Sequence, residues 1–200
     1  VITCGASPLF FLDYIAMDHL NANHTADIVK GMAKACRASG CVLIGGETAE
    51  LPGMYSDNSF DIAGFVVGAV EKESIIDGTK IRDGSVLIGV SSNGLHTNGY
   101  ALVRHVFDID MNPTVLNIHE PTLGSTLGEA LLAPHLAYWP LLETVLPNLL
   151  GISHITGGGL PGNIPRMLPH GLAAQIDINS WNIPPLFQLI QDRGDISNEE

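Results

Sequence analysis

Three times along the chain, a short run of strand-forming residues gives way to glycines. Cys41-Val42-Leu43-Ile44 runs into Gly45-Gly46, residues 85–90 lead to a loop holding Gly94 and Gly99, and residues 153–156 lead to Gly157-Gly158-Gly159. Such short runs suit buried strands better than core helices. Glycine permits positive φ and lets a ligand approach the backbone closely. Open sheets with alternating helices usually bind ligands where strands end in such loops. The repeated pattern therefore predicts a chain in which strands and helices alternate, with its sites at strand ends.

The remaining spacing fits that plan. A strand is predicted over 8–16, ending near the acidic Asp13. A helix is predicted over 25–38, where Ile28, Val29, Met32, Ala33 and Cys36 recur at three- and four-residue steps and Gly40 closes the segment. A further strand is predicted over 60–70. The polar stretch 71–83, with turns at Asp77-Gly78 and Asp83-Gly84, reads as a domain boundary. The expected domains are thus 1–72 and 73–200. In the second, strands are expected at 85–90, 153–156 and 172–178, and helices at 100–107, 126–132, 138–146, 162–168 and 185–193. The fold class is α+β with α/β-like alternation.

Composition narrows the function. Apolar residues make up 46% and charged residues 15%, a globular balance. The longest apolar runs fall short of the roughly 18 residues of a membrane helix, and no charged-then-apolar leader opens the chain, so no membrane partner and no signal peptide are expected. The net charge is −12 with only nine Lys and Arg, so no nucleic-acid partner is expected. A bound phosphate would have to be held by backbone N–H groups, helix N-termini and a metal ion. Cys4, Cys36 and Cys41 lack metal spacing and read as reduced thiols of a cytoplasmic protein. Both ends read as cut: the chain opens on Val1-Ile2-Thr3 and stops at Ser197-Asn198-Glu199-Glu200, the first turn of a helix that does not continue.

Three segments carry candidate chemistry. In Gly45-Gly46-Glu47-Thr48, Glu47 supplies a hard oxygen ligand and Thr48 a hydroxyl, as a magnesium–nucleotide complex requires. The plainer alternative is a tight turn with a solvated Glu. In Ser91-Ser92-Asn93-Gly94-Leu95-His96-Thr97-Asn98-Gly99, hydroxyl, amide and imidazole groups crowd one loop before a helix, where a phosphate or sugar could be held. The alternative is a helix cap made by Asn98. In Thr156-Gly157-Gly158-Gly159-Leu160-Pro161-Gly162-Asn163, three glycines make an anion nest or a hinge, and the spacing is not that of a P-loop. Asp13 is a metal ligand or an ordinary strand carboxylate. His19, His24, His105, His119, His135 and His170 are scattered, without HExxH or zinc spacing, and default to the surface. Trp139 and Trp181 read as packing residues.

Taken in order, these segments resemble the phosphoribosylformylglycinamidine cyclo-ligase family, also called aminoimidazole ribonucleotide synthetases. The resemblance rests on Gly5-Ala6-Ser7-Pro8-Leu9-Phe10-Phe11-Leu12-Asp13-Tyr14, on Gly45-Gly46-Glu47-Thr48-Ala49-Glu50-Leu51-Pro52-Gly53-Met54-Tyr55, on Gly94-Leu95-His96-Thr97-Asn98-Gly99-Tyr100 and on His154-Ile155-Thr156-Gly157-Gly158-Gly159-Leu160-Pro161. Gly128-Glu129-Ala130-Leu131-Leu132-Ala133-Pro134 and 177–194 add to it. The resemblance implies a two-domain fold, a homodimer formed through strands of the N-terminal domain, and use of ATP with magnesium. The implied reaction closes formylglycinamidine ribonucleotide to aminoimidazole ribonucleotide in purine biosynthesis. The formyl oxygen is activated as a phosphate ester, the amidine nitrogen attacks, and phosphate leaves. Gly45, Gly46, Glu47 and Thr48 carry over as nucleotide contacts, Asp13 and Glu47 as metal contacts, and Ser91, Gly94, His96, Asn98, Gly157, Gly158, Gly159 and Asn163 as substrate contacts. His96 and Glu47 are the catalytic candidates.

Two positions depart from the family pattern: Gly162 stands where a Glu is usual, and His135-Leu136 where Thr-Arg or His-Arg is common. The family's glycine-rich nucleotide loop, with its Lys, would precede Val1. The alternatives are a non-catalytic dimerisation or nucleotide-binding module, or another ATP-using enzyme on the same scaffold.

Overall fold

A computed structural model describes residues 1–56 and 59–197. The expected helical start at Asn198-Glu199-Glu200 lies outside the described residues. Strands and helices are mixed, as an α+β chain requires, and the chain divides into two compact units. The first comprises Val1–Ile81, Ala137–His154 and Met167–Pro169. The second comprises Arg82–Leu136, Ile155–Arg166 and His170–Glu200.

The first unit is built on β1 (Ser7–Met17), with β2 (Val42–Glu50) parallel on one side and β3 (Phe60–Ala69) antiparallel on the other. Parallel neighbours need a crossover, and α1 (Ala22–Ala38) provides it. Asn21 starts this helix by accepting from the N–H groups of Asn23 and His24. Its end is marked by Gly40 at φ +63°, the left-handed conformation glycine adopts without strain. The C-terminal half of β1 is the buried part of the sheet, with Ile15 and Ala16 fully enclosed.

In the second unit, α2 (Tyr100–Val106), α3 (Leu127–Leu131) and α6 (Pro185–Gly194) share one core of Val103, Phe107, Leu127, Leu131, Leu186 and Ile190. A two-stranded ladder of β4 (His119–Glu120) and β5 (Ser125–Thr126) leads into α3. Thr126 and Glu129 form a reciprocal capping box there. Hydrogen bonds from the Thr126 backbone N–H and then its hydroxyl hold the Glu129 carboxyl below the usual glutamate range. The short helices α4 (Trp139–Leu142), in the first unit, and α5 (Gly159–Asn163), in the second, are each followed by a 3-10 turn that contains a proline, Pro147 and Pro165 respectively.

Several sequence expectations are corrected. The run 41–44 is not a buried strand: Val42 and Ile44 are more than half exposed because β2 lies at the sheet edge. Nor do Gly45 and Gly46 form a turn at a strand end. They pair in register with Leu12 and Asp13, so β2 continues through them to Glu50. Asp13 likewise lies within β1. Residues 85–90, 153–156 and 172–178 enter no ladder, and Val86 and Ile88 are over 80% exposed. A strand-like pattern is local, whereas a strand exists only with a hydrogen-bonded neighbour.

Candidate functional site

Register decides the geometry of the first segment. Asp13 pairs with Gly46 and Tyr14 with Glu47. Successive side chains alternate between faces of a sheet, so Asp13 and Glu47 point to opposite sides. The Asp13 carboxyl lies across Gly46, in the space a Cβ there would fill. That face is covered by α1. Met17, of the same parity, meets the Thr25 hydroxyl at 3.9 Å, and Cys36 lies near enough for the Asp13 carboxylate to act on its thiol. Glu47 points away from the helix and is exposed, its carboxylate accepting from the Thr48 N–H at 2.9 Å. Thr48 pairs with Ile15 and shares the Asp13 face. The structure therefore does not bring Asp13 and Glu47 together. Among the described residues, no three His, Cys, Asp or Glu side chains converge as a metal-binding group. Each carboxylate still has the hard-oxygen chemistry magnesium takes, which needs only one or two carboxylates beside phosphate and water.

Beyond this segment the fold adds a brace that residue spacing alone does not single out. The buried Asp18 accepts from the Gly53 N–H at 3.0 Å. The Leu20 N–H donates to Glu50 Oε2 at 3.0 Å, and the Leu51 N–H to the Met17 carbonyl at 2.9 Å. His19 lies 3.6 Å from Asp18 and 3.5 Å from Glu50. Together these contacts fasten the Leu51–Tyr55 turn to the end of β1. Gly53, at φ +78°, was the available signal, because that conformation strains any other residue.

In the second unit, loop 91–99 and the glycine segment meet. A Cβ on Gly157 would lie 3.7 Å from Asn98 Oδ1, and one on Gly94 would lie 3.9 Å from the Ala130 carbonyl. Asn98 does not cap α2: the cap position is Gly99, at φ +94°, and no side-chain cap bond forms. Asn98 Nδ2 instead donates to the Thr97 hydroxyl at 3.5 Å. His96 takes φ +60°, unusual for a residue with a side chain. Its Nε2 lies 2.7 Å from Asn93 Oδ1, and its ring packs on His135 with centroids 3.7 Å apart. His135 is thus brought to the candidate loop, where sequence spacing left it scattered. Asn163, only 2% exposed, donates to the Gly159 carbonyl at 2.7 Å and accepts from the Thr156 hydroxyl at 3.0 Å. It pins the turn through Gly157 and Gly158. Ser91 is exposed at the start of its loop.

The arrangement offers an imidazole, carboxamides and glycine backbone in one place, suited to a polar substrate that must be oriented and exchange a proton. Among the described residues, no helix is long and apolar enough to cross a membrane.

Both halves of the chain match a known protein family. The profile of the AIR synthase related protein C-terminal domain matches residues 82–199, and that of the N-terminal domain matches 1–70. Over 202 residues the chain is 50% identical to a phosphoribosylformylglycinamidine cyclo-ligase of Caldicellulosiruptor bescii, covering all of this chain and 59% of that relative. A protein of the same name from Desulfitobacterium hafniense is 49% identical over 205 residues, with all of this chain and 58% of the relative covered. The chain thus spans somewhat over half the length of the curated relatives it matches. Among solved structures, thiamine monophosphate kinase of Aquifex aeolicus aligns with 73% of this chain and 44% of its own at 19% identity, with a TM-score of 0.44.

Proposed function

Because this chain belongs to the AIR synthase related family, we propose that the protein containing it closes formylglycinamidine ribonucleotide to aminoimidazole ribonucleotide, using ATP. The observation that carries this reading is the 50% identity to a cyclo-ligase along the entire chain. The aligned stretch takes in the Gly45–Tyr55 string and both loops of the second unit.

The chemistry asks little of a nucleophile. The formyl oxygen attacks the γ-phosphorus and ADP leaves. The amidine nitrogen then attacks the activated carbon, the C–N bond closes the ring, the C–O bond breaks, and phosphate departs with the former formyl oxygen. An intramolecular closure gains chiefly from orientation and from polar groups placed where charge develops. In this reading the 91–99 loop and the Gly157–Gly159 turn hold the ribonucleotide, with Ser91, Gly94, Asn98 and Asn163 orienting it. His96 exchanges the proton. Gly45, Gly46, Glu47 and Thr48 border the nucleotide.

Magnesium, when bound, would neutralise phosphate charge. Glu47 is the residue we assign to it, because its carboxylate is exposed on the sheet face opposite α1. Asp13 lies under the helix and serves the strand pair. A homodimer through the first unit is supported by exposed Phe60, Ile62, Phe65, Val66 and Val67 on β3. A cytoplasmic location follows from the pathway.

The test is direct. The chain, extended at both ends to the length of its relatives, should form aminoimidazole ribonucleotide and ADP in equal amounts when given substrate, ATP and magnesium. Absence of the aminoimidazole product would overturn the reading.

A further inference from the structure

One side-chain amide sets the polarity of the His96 Nε2 contact. Asn93 Nδ2 donates to the Pro134 carbonyl at 2.7 Å. Only the NH2 end of a carboxamide donates, so this contact fixes which way the amide points. Its Oδ1 then faces His96 Nε2 at 2.7 Å. An amide oxygen only accepts, so the proton in that bond belongs to Nε2. A neutral imidazole protonated at Nε2 carries its lone pair on Nδ1. The partner ring is fixed by the same logic. His135 Nδ1 lies 2.8 Å from the Leu136 carbonyl and must donate to it, and the two rings stack at 3.7 Å with a 32° tilt. Pro134, His135 and Leu136 therefore hold both the amide and the stacked ring. The left-handed backbone at His96 costs about 1 kcal/mol for a residue with a Cβ, and these contacts maintain it.

We propose that Asn93 is a positioning residue that locks His96 in the Nε2–H form, making Nδ1 the atom that accepts the proton during ring closure, with His135 holding the ring plane. The role in ring closure rests on the cyclo-ligase reading; the lock itself does not. As the C–N bond forms, the amidine nitrogen gives its proton to Nδ1, which passes it to solvent or to the departing phosphate. No oxidant or further reactant is needed.

The test uses histidine-selective 15N labelling of the full-length protein, read by NMR without substrate, beside steady-state kinetics. The lock predicts a single His96 tautomer, protonated at Nε2, with the 15N shifts and the Nε2–H signal of that form. That signal should vanish in Asn93→Ala and persist in Asn93→Asp, which keeps an acceptor. Asn93→Ala should lower kcat up to about 100-fold with little change in KM, since a positioned proton acceptor is worth roughly 10²-fold or more. Asn93→Asp should restore most of it. A proton on Nδ1, or an Nε2–H signal indifferent to Asn93→Ala, overturns the lock. An unaltered kcat in Asn93→Ala overturns the role in ring closure. If wild-type protein shows the locked tautomer yet makes no aminoimidazole product, the cyclo-ligase reading fails and the role in ring closure falls with it, while the lock stands.

Discussion

The Asp13 carboxyl lies across Gly46 on the neighbouring strand, where a Cβ at residue 46 would collide with Oδ1 and stand 2.5 Å from Cγ and 2.7 Å from the Asp13 backbone oxygen. One residue away, a Cβ on Gly45 would meet nothing within 4 Å. The two glycines that look alike in the sequence therefore do different work.

Gly46→Ala should destabilise the first unit by about 1–3 kcal/mol, the usual cost of forcing atoms into a filled space. Gly45→Ala should be nearly neutral, or slightly stabilising from the lower entropy of the unfolded chain. Urea unfolding midpoints measure both. Equal effects would contradict the register that sets Asp13 over Gly46.

Opposite faces make the two carboxylates separable. Glu47→Gln should weaken magnesium-dependent nucleotide binding in the full-length protein, whereas Asp13→Asn should act mainly on stability. Titration calorimetry with a non-hydrolysable ATP analogue, with and without magnesium, checks this. If affinity is unchanged in Glu47→Gln, Glu47 is an ordinary edge-strand residue.

Cys36 should be the slow thiol. Burial first, then the neighbouring Cys41 thiol and the Asp13 carboxylate, push its pKa up, and only the thiolate reacts readily. With iodoacetamide near pH 8, the exposed Cys4 should label well ahead of Cys36. Linkage gives the sign of the stability effect. The folded state holds the Cys36 proton more tightly than the unfolded chain does. Its contribution is therefore fully present below the unfolded thiol pKa and is lost as pH rises from there through the folded value. Labelling of Cys36 as fast as Cys4 would contradict its place on the buried face of α1.

What the sequence shows well is local. The 3.6-residue period from Ile28 to Cys36 and the glycine at residue 40 locate α1 to within three residues, and the β-branched run after residue 60 locates β3. The runs 85–90 and 172–178 carry the same kind of signal, yet they enter no ladder, because a local pattern does not specify a partner strand. The site divides the same way. The glycine loops and His96 stand out by residue type. Three facts depend on the fold: the opposed faces of Asp13 and Glu47, the Asp18–Gly53 brace and the stacking of His135 on His96. The faces follow from a register set where β1 meets β2, and the brace and stack join residues 35 and 39 positions apart.

In the proposed reaction, ring closure proceeds through an activated formyl oxygen. It is tested most directly by giving the full-length protein substrate labelled with 18O in the formyl group, together with ATP and magnesium, and by weighing the released phosphate. One labelled phosphate should be released for each aminoimidazole ribonucleotide formed. Unlabelled phosphate, or ADP formation without the aminoimidazole product, would contradict it.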